Sequence, residues 1–151
     1  MLSSPSAFPK QGHLGLTPQT ATALGGFKVQ GRDAHSAQTI LDEARHLVSA
    51  GVFALVLEAI PSGLAQRVTE ALSVPTIGIG AGPSCDGQVL VYHDVLGMFD
   101  RFKPKFVRTY AEVGQQSIEA LKQYANEVRN KIFPDKEHSF EISDEILQRL
   151  Y

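Results

Sequence analysis

The first residue whose type and position could support chemistry is Glu58, which ends the apolar run VFALVLE. In α/β folds the carboxyl ends of parallel strands form the face on which sites are built. A carboxyl group at the edge of an apolar core is poorly solvated, which favours a proton acceptor that works near neutral pH. Glu58 is therefore a candidate general base. The alternative is a negative charge that favours the N-terminus of the following helix.

Metal-ligand residue types also occur near predicted loop ends, at His13, Asp86, His93 and Asp94. Their spacing matches no diagnostic metal motif, and polar residues are common at such positions without a metal. The single cysteine, Cys85, excludes an intrachain disulfide and a cysteine-based metal cluster. It lies beside an acidic residue, which disfavours the reactive thiolate.

A glycine-rich stretch, IGIGAGPSCDG, resembles a phosphate-binding loop at first sight. It lacks the G-x-G-x-x-G pattern of dinucleotide-binding proteins, and it lacks the Gly-Lys-Ser/Thr of a P-loop. We interpret its small residues as sites where the backbone packs closely, including against a ligand.

Length and composition indicate one globular domain: 151 residues, 43% apolar, 20% charged, with a net charge of -2. That charge is too small to indicate a nucleic-acid or membrane-surface partner. No apolar run approaches the roughly 20 residues of a membrane span. The stretch FDRFKPKF has too few basic residues for a nucleic-acid surface and is typical of a solvated helix start. The N-terminus has no secretory signal pattern, so we expect a cytoplasmic protein, with a mitochondrial one as the alternative.

The elements that must position these residues alternate between helix and strand. Apolar residues from 40 to 48 recur at helical spacing, and Gly51 ends that helix. VFALVLE is a buried strand, Ser62 caps the next helix, and TIGIG is a second strand. This alternation predicts a parallel sheet in an α/β fold, either open or part of a barrel.

Predictions for the ends of the chain are less regular. Residues 1–11 are expected to be irregular, GHLGLTPQ to be a strand end or loop with a helix start at Thr17-Pro18, and FKVQG to be a short extended piece. QVLVYHD is predicted to be a third strand that ends on His93 and Asp94. Residues 104–132 are predicted to be mostly helical with a break near Gly114, and a short helix is predicted after Ser143.

Several stretches together resemble one family, ketopantoate hydroxymethyltransferase, also called 3-methyl-2-oxobutanoate hydroxymethyltransferase. They are GHLGLTPQ, GGFKVQGR, LVLEAIP, PTIGIGAGPSCDGQVLVYHD, PKFV and EHSF. The resemblance covers residues 12 to about 140 and about the C-terminal half of a family member. It implies the C-terminal portion of a (β/α)8 TIM-type barrel, with parallel strands, flanking helices and an incomplete barrel. Residues 12–140 would form this partial barrel, and residues 141–151 a C-terminal tail helix.

The resemblance also implies an activity in pantothenate and coenzyme A biosynthesis. Family members are homo-oligomers that transfer a one-carbon unit from 5,10-methylenetetrahydrofolate to 3-methyl-2-oxobutanoate, giving 2-dehydropantoate. Mg2+ binds and polarises the keto acid, and a glutamate removes the proton beside the carbonyl. By its place in LVLEAIP, Glu58 matches that glutamate. His13, in GHLGLTPQ, matches a histidine near the substrate, and we expect it to line the pocket.

The family's acidic metal ligands, and a lysine that helps hold the keto acid, lie on barrel strands that would precede GHLGLTPQ. We therefore expect no metal ligand in this chain. Three hypotheses follow: a truncated enzyme that is weakly active or inactive alone, a chain completed by a separate piece or a second copy, or a non-catalytic half-barrel that binds a ligand or a partner. We favour the first for this polypeptide, which would then be a piece of an enzyme with the family's activity.

Overall fold

The computed structural model describes residues 9–17, 28–99 and 102–150. In chain order its elements are β1 Lys10–Gly15, α1 Ala34–Ser49, β2 Val52–Glu58, α2 Ser62–Ala71, β3 Thr76–Ile79, β4 Gly87–Gln88, α3 Tyr92–Val95, α4 Val113–Arg129 and α5 Asp144–Leu147. Within these ranges no helix is both long enough and apolar enough to cross a bilayer.

The four strands form one sheet in the order β1-β2-β3-β4, and every neighbouring pair is parallel. Parallel neighbours require crossover connections, and α1 and α2 lie in two of them. Within the described ranges the sheet does not close, because β1 and β4 are its two edges. This confirms the predicted α/β architecture of parallel strands with flanking helices in an incomplete barrel. The first strand begins at Lys10 and so includes the last two residues of the segment 1–11 that was predicted to be irregular.

The core lies between one face of the sheet and the helices α1 and α2. Its buried residues come from both layers and are Leu14, Ile40, Ala44, Leu55, Leu57, Ile60, Ala65, Val68 and Ala81. The helix α1 begins at a capping box in which the Asp33 side chain accepts from Ser36 N. It ends as predicted before Gly51, which has a φ of 88°. Burial of the apolar face of α1 therefore orients the strand that follows.

The opposite face of the sheet carries the side chains that could do chemistry. The register places His13 opposite Val56 on β2, and Gly15 opposite Glu58. Because side chains alternate along a strand, His13, Val56 and Glu58 share the face that points away from the core. Val56 and Glu58 are half-buried, and His13 is exposed.

The predicted strand QVLVYHD is wrong beyond its first residue. Of this stretch only Gln88, together with Gly87 before it, pairs with β3 as strand β4, and the chain then forms the short helix α3. The reason is the length of the partner, because β3 ends at Ile79 and Gly80 turns away with a φ of 66°. After Val89 N donates to the oxygen of Gly78, no further partner remains for a strand.

The prediction of helix from residue 104 is also wrong, since α4 begins only at Val113. Backbone hydrogen bonds to the α3 region hold the preceding segment in another conformation, including Tyr110 N to Val95 O at 2.8 Å and Val113 N to Leu96 O at 2.9 Å. Gly114 lies inside α4 and does not break it. FDRFKPKF therefore does not start a helix in its described part.

Two smaller predictions concern helix starts. Ser62 is the first residue of α2 rather than its cap; Pro61 is the N-cap, and no side chain caps this helix. The short helix predicted after Ser143 is confirmed as α5. The predicted helix start at Thr17-Pro18 and the start of FKVQG at Phe27 reach residues outside the described ranges.

Candidate functional site

His13 and Glu58 come together at the carboxyl ends of the two neighbouring strands β1 and β2. Although 45 positions separate them in the chain, His13 Nε2 lies 3.0 Å from Glu58 Oε2. The side chain of Glu58 is 16% exposed and that of His13 is 36% exposed. This is hydrogen-bonding distance, so the imidazole can hold the carboxylate in one orientation while its other oxygen stays available.

The backbone at the end of β2 has an unusual conformation that fixes Glu58. Ala59 has a φ of 49°, a left-handed value that costs roughly 1–2 kcal/mol for a residue with a Cβ. Hydrogen bonds on both sides hold it there: Ala59 N donates to Ile79 O at 2.9 Å, and Gln30 N donates to Ala59 O at 2.9 Å. Strain that the surroundings enforce is frequent at functional sites. No sequence signal predicts it, because alanine carries no preference for this conformation.

A cleft of about 420 Å³ opens at the same end of the sheet, against Glu58. Most of its lining is apolar, and the lining residues used below are Glu58, Ile79, Gly80, Asp94, Lys105 and Phe106. The volume falls within the range typical of small-molecule sites. Ile79 and Gly80 belong to IGIGAG, which supports the interpretation that this stretch packs closely beside a ligand.

Lys105 and Phe106 were not singled out from the sequence as site residues. They occupy the centre of a turn in which Val107 N donates to Pro104 O at 3.0 Å. Val107 is 8% exposed, which anchors this turn in the protein. The available signal was the alternation of basic and aromatic residues in FDRFKPKF, which we interpreted as a solvated surface.

Asp86 is placed in a structural role, away from Glu58. Its Oδ2 accepts hydrogen bonds from Thr76 N at 2.8 Å and from Thr76 Oγ1 at 3.0 Å. Thr76 is completely buried at the start of β3, so the carboxylate satisfies polar groups that water cannot reach. The hydrogen bonds from the backbone and hydroxyl of Thr76 lower the pKa of Asp86.

This lowered pKa predicts how stability depends on pH. A folded-state pKa below the unfolded value adds stability that is present above the unfolded value, near 3.8, and is lost as the pH falls through the folded value. We expect Asp86→Asn to be less stable than the wild type at pH 7, with a gap that narrows below pH 3.8. Urea unfolding at several pH values measures this, with Asp144→Asn on α5 as a control. A gap that does not change with pH would contradict the assignment.

The remaining candidates do not form a cluster. Asp94 is half-buried on α3 and lines the cleft, whereas His93 is exposed and its ring lies 3.8 Å from that of Tyr92. The sulfur of Cys85 lies close to Gly78 on β3, within the packed part of the chain. Over residues 9–17, 28–99 and 102–150, no three histidine, cysteine, aspartate or glutamate side chains are placed to hold a metal ion.

Known proteins of one family are similar to this chain in sequence. The sequence model of the family described as ketopantoate hydroxymethyltransferase matches residues 5–136. Three similar proteins are each named 3-methyl-2-oxobutanoate hydroxymethyltransferase. The one from Moorella thermoacetica is 62% identical over 89% of this chain and 50% of its own length. The one from Carboxydothermus hydrogenoformans is 54% identical over 97% of this chain and 53% of its own length. The one from Syntrophomonas wolfei is 57% identical over 95% of this chain and 52% of its own length.

The chain thus spans about half the length of the curated relatives it matches. These relatives are bacterial proteins, so they lend no support to the mitochondrial alternative. The family match extends over most of the sequence and includes all four strands of the sheet. The chain belongs to the ketopantoate hydroxymethyltransferase family.

Proposed function

We propose that this chain contributes the catalytic base and part of the substrate pocket to hydroxymethyl transfer onto 3-methyl-2-oxobutanoate. The observation that carries the proposal is the 3.0 Å contact between His13 and Glu58 beside a cleft at the carboxyl end of the sheet. The names of the relatives supply the reaction, and the position of Glu58 supplies the residue that would begin it.

Glu58 removes the proton from C3 of the keto acid, the carbon beside the carbonyl. The electron pair of the broken C–H bond moves into the enolate, and the proton moves to a carboxylate oxygen of Glu58. A general base must lie within hydrogen-bonding reach of the proton that it takes, and the half-buried carboxylate at the cleft allows this. Water adds to the methylene carbon of the donor and both of its C–N bonds break, with the electron pairs returning to the two nitrogens, which frees the one-carbon unit at the oxidation level of formaldehyde. The enolate carbon then bonds to that carbon, and the former carbonyl oxygen of the unit takes up a proton to become the new hydroxyl group.

His13 is proposed to line the pocket and to position the base. Its Nε2 holds one oxygen of Glu58 and leaves the other for the substrate. Both residues lie on the face of the sheet opposite α1 and α2, because His13 is opposite Val56 in the register and Glu58 follows Val56 by two positions. A small keto acid can approach the pair from that face.

The one-carbon donor is proposed to be 5,10-methylenetetrahydrofolate, as the family resemblance implies. The same resemblance implies Mg2+, which would polarise the keto acid. The described residues do not by themselves make a site for this ion, since no three ligand side chains are grouped. We therefore assign no step to a metal here. The family's metal ligands are expected on strands outside those of this chain.

The fold also bears on how the chain works. Among the residues that the structure describes, β1 and β4 are the two edges of the sheet, so the sheet is suited to completion by further strands, from a separate piece or a second copy. We propose a cytoplasmic homo-oligomer, and weak or no activity for the chain without such completion. The alternative is a non-catalytic half-barrel that binds a ligand or a partner, and the open cleft is the observation that favours it.

The test is proton exchange measured by NMR. The purified chain is mixed with 3-methyl-2-oxobutanoate and Mg2+ in D2O, without folate, and the C3 proton signal is followed. Loss of the signal faster than in buffer, and dependent on Glu58, is the expected result if these residues assemble a working base. Exchange at the buffer rate would count against a catalytic role for this chain and would favour the non-catalytic alternative.

A further inference from the structure

An aromatic wall of the cleft takes no part in the deprotonation that we assign to Glu58. Phe106 contributes to this wall, and Phe99 and Phe102 also line the cleft. These three residues are 37%, 53% and 59% exposed, and exposed apolar side chains that gather in one place mark a binding surface. The keto acid of the proposed reaction has the carbon skeleton of valine, so it leaves part of a cleft of about 420 Å³ unfilled. The lining therefore has room for a larger, aromatic ligand.

Phe106 is held in place by close packing. Its ring lies over Gly80, where an added Cβ would be 2.6 Å from Phe106 Cδ1. The turn that contains it is closed by a hydrogen bond of 3.0 Å from Val107 N to Pro104 O, and Val107 is 8% exposed. A ring that is fixed before a ligand arrives loses little conformational freedom on binding. A flat ligand can therefore stack on the exposed part of Phe106.

The charges that line the cleft favour a ligand that carries a carboxylate. Lys105 precedes Phe106 in the same turn and lines the cleft beside it. Asp94 and Glu58 line the cleft too, and like charges repel, so an anionic group is directed towards Lys105. A lysine side chain is a flexible point charge, which suits it to reach a carboxylate at the rim. A ligand with its carboxylate at Lys105 and an aromatic ring on Phe106 is thus held at both ends.

We propose that the chain also catalyses the keto–enol tautomerisation of arylpyruvates, which are 2-oxo acids with an aromatic ring on C3. Lys105 binds the carboxylate, Phe106 stacks on the ring, and Glu58 moves the C3 proton. The inference rests on the proposed function in one respect, because both reactions use Glu58 as the base. It adds a second reaction and a second class of substrate to the chain.

The proposed step moves a proton between carbon and oxygen. Glu58 takes the proton from C3, the electron pair of that C–H bond forms the double bond between C2 and C3, and the carbonyl π pair moves to oxygen. The oxygen then takes a proton from water, and Glu58 returns its proton to the solvent. The reverse path turns the enol into the keto form. His13 Nε2, 3.0 Å from Glu58 Oε2, holds one carboxylate oxygen in place while the other carries the proton.

An arylpyruvate suits this base better than an alkyl keto acid does. Its C3 is bonded to both the carbonyl carbon and the aromatic ring, so the negative charge that develops at C3 spreads into both. This lowers the free energy of the enolate, and a positioned carboxylate can therefore remove the proton with less help from other groups. Contacts to the ring and to the carboxylate hold C3 beside Glu58, which replaces a chance encounter with an oriented one.

The experiment follows the enol of phenylpyruvate by its ultraviolet absorbance as it converts to the keto form. The purified chain is added in buffer that contains EDTA and no folate, and the rate in buffer alone is subtracted. We expect a rate above that of buffer that rises in proportion to the concentration of the chain. Glu58→Gln should lower kcat by roughly 10²- to 10⁴-fold, the usual contribution of a general base. A wild-type rate equal to that of buffer, or an equal rate in Glu58→Gln, would overturn the inference.

Two further variants test the binding groups through KM rather than kcat. Phe106→Leu keeps the apolar bulk and loses the flat face, so we expect KM to rise by about threefold to tenfold. Lys105→Met should raise KM a few-fold at low salt and less at high salt, because salt screens an exposed ion pair. The control Lys103→Met makes the same change at an exposed residue outside the cleft lining and should behave like the wild type. An unchanged KM in both test variants would show that arylpyruvates do not bind as proposed.

A comparison of two inhibitors on the wild type decides the point if circular dichroism shows that Phe106→Leu is unfolded. Both 3-phenylpropanoate and 3-methylbutanoate carry a carboxylate and lack the keto group, so neither can tautomerise. The first has an aromatic ring, whereas the second has a short branched alkyl group. We expect 3-phenylpropanoate to inhibit at about tenfold lower concentration, because it reaches both Lys105 and Phe106. Equal inhibition by the two acids would contradict a ring site in the cleft.

This proposal and the proposed function fail in different ways. Exchange of the C3 proton of 3-methyl-2-oxobutanoate reports on the alkyl keto acid, whereas ketonisation of phenylpyruvate reports on the aromatic one. Exchange without tautomerisation would remove the second activity and leave Glu58 as the base for hydroxymethyl transfer. Tautomerisation that depends on Glu58, with no exchange of the alkyl keto acid, would leave the second activity standing and count against the proposed function.

Discussion

Replacing Glu58 by glutamine is expected to slow C3 proton exchange by roughly 10²- to 10⁴-fold, the usual contribution of a general base. Glutamine preserves the size of the side chain and an oxygen that can accept from His13 Nε2 at the 3.0 Å contact. It removes the carboxylate that takes the proton. The rate of C3 signal loss in D2O gives the measurement.

The control is Glu43→Gln, which makes the same chemical change on the exposed side of α1. This variant should exchange at the wild-type rate. If Glu58→Gln also exchanges at the wild-type rate, Glu58 is not the base. If both variants lose activity equally, the effect comes from stability, and unfolding curves would show it.

Gly80→Ala is expected to lower the free energy of unfolding by roughly 2–4 kcal/mol. Two costs add: the left-handed backbone, with a φ of 66°, and the overlap of a new Cβ with the ring of Phe106, 2.6 Å away. The smaller entropy of the unfolded alanine chain offsets only part of this sum. Urea unfolding followed by circular dichroism measures the change.

Gly51→Ala separates the two costs. Gly51 also has a left-handed φ, of 88°, but no atom lies within 4 Å of a Cβ added there. We expect a loss of about 1 kcal/mol for this variant, from the backbone alone. Equal losses at the two positions would show that Phe106 does not press on Gly80. The same contact forms a wall of the cleft. If Gly80→Val binds the substrate as the wild type does, the hypothesis that IGIGAG shapes the pocket is wrong.

The choice between a catalytic piece and a non-catalytic module depends on what covers the sheet. His13 and Glu58 are on the face of the sheet opposite α1 and α2, next to a cleft that Asp94 and Lys105 also line. A module that only binds a partner would not need a base held by a histidine and a strained backbone. The proton-exchange experiment distinguishes the two, because partner binding alone moves no proton from carbon.

Local patterns in the sequence predicted much of the fold. VFALVLE was predicted to be a buried parallel strand, and helical spacing from residue 40 to 48 predicted α1; the structure confirms both. These elements follow from the periodicity of apolar residues, which can be read from each segment alone, whatever it packs against. QVLVYHD failed for the opposite reason. Its strand pattern needed a partner longer than β3, and the length of a neighbour cannot be read from the strand itself.

The sequence by itself determined the family, the parallel α/β class and the position of Glu58 at the end of a strand. Only the tertiary structure decided which residues meet there. His13 and Glu58 are 45 positions apart in the chain, and the register of β1 and β2 brings them into contact. Asp86 accepts a hydrogen bond from Thr76 and does not lie at the site. Asp94 and Phe106 reach one cleft because backbone hydrogen bonds and a turn override the predicted strand and helix. Residue types specify what chemistry is available, whereas register and long-range hydrogen bonds specify which groups can act together.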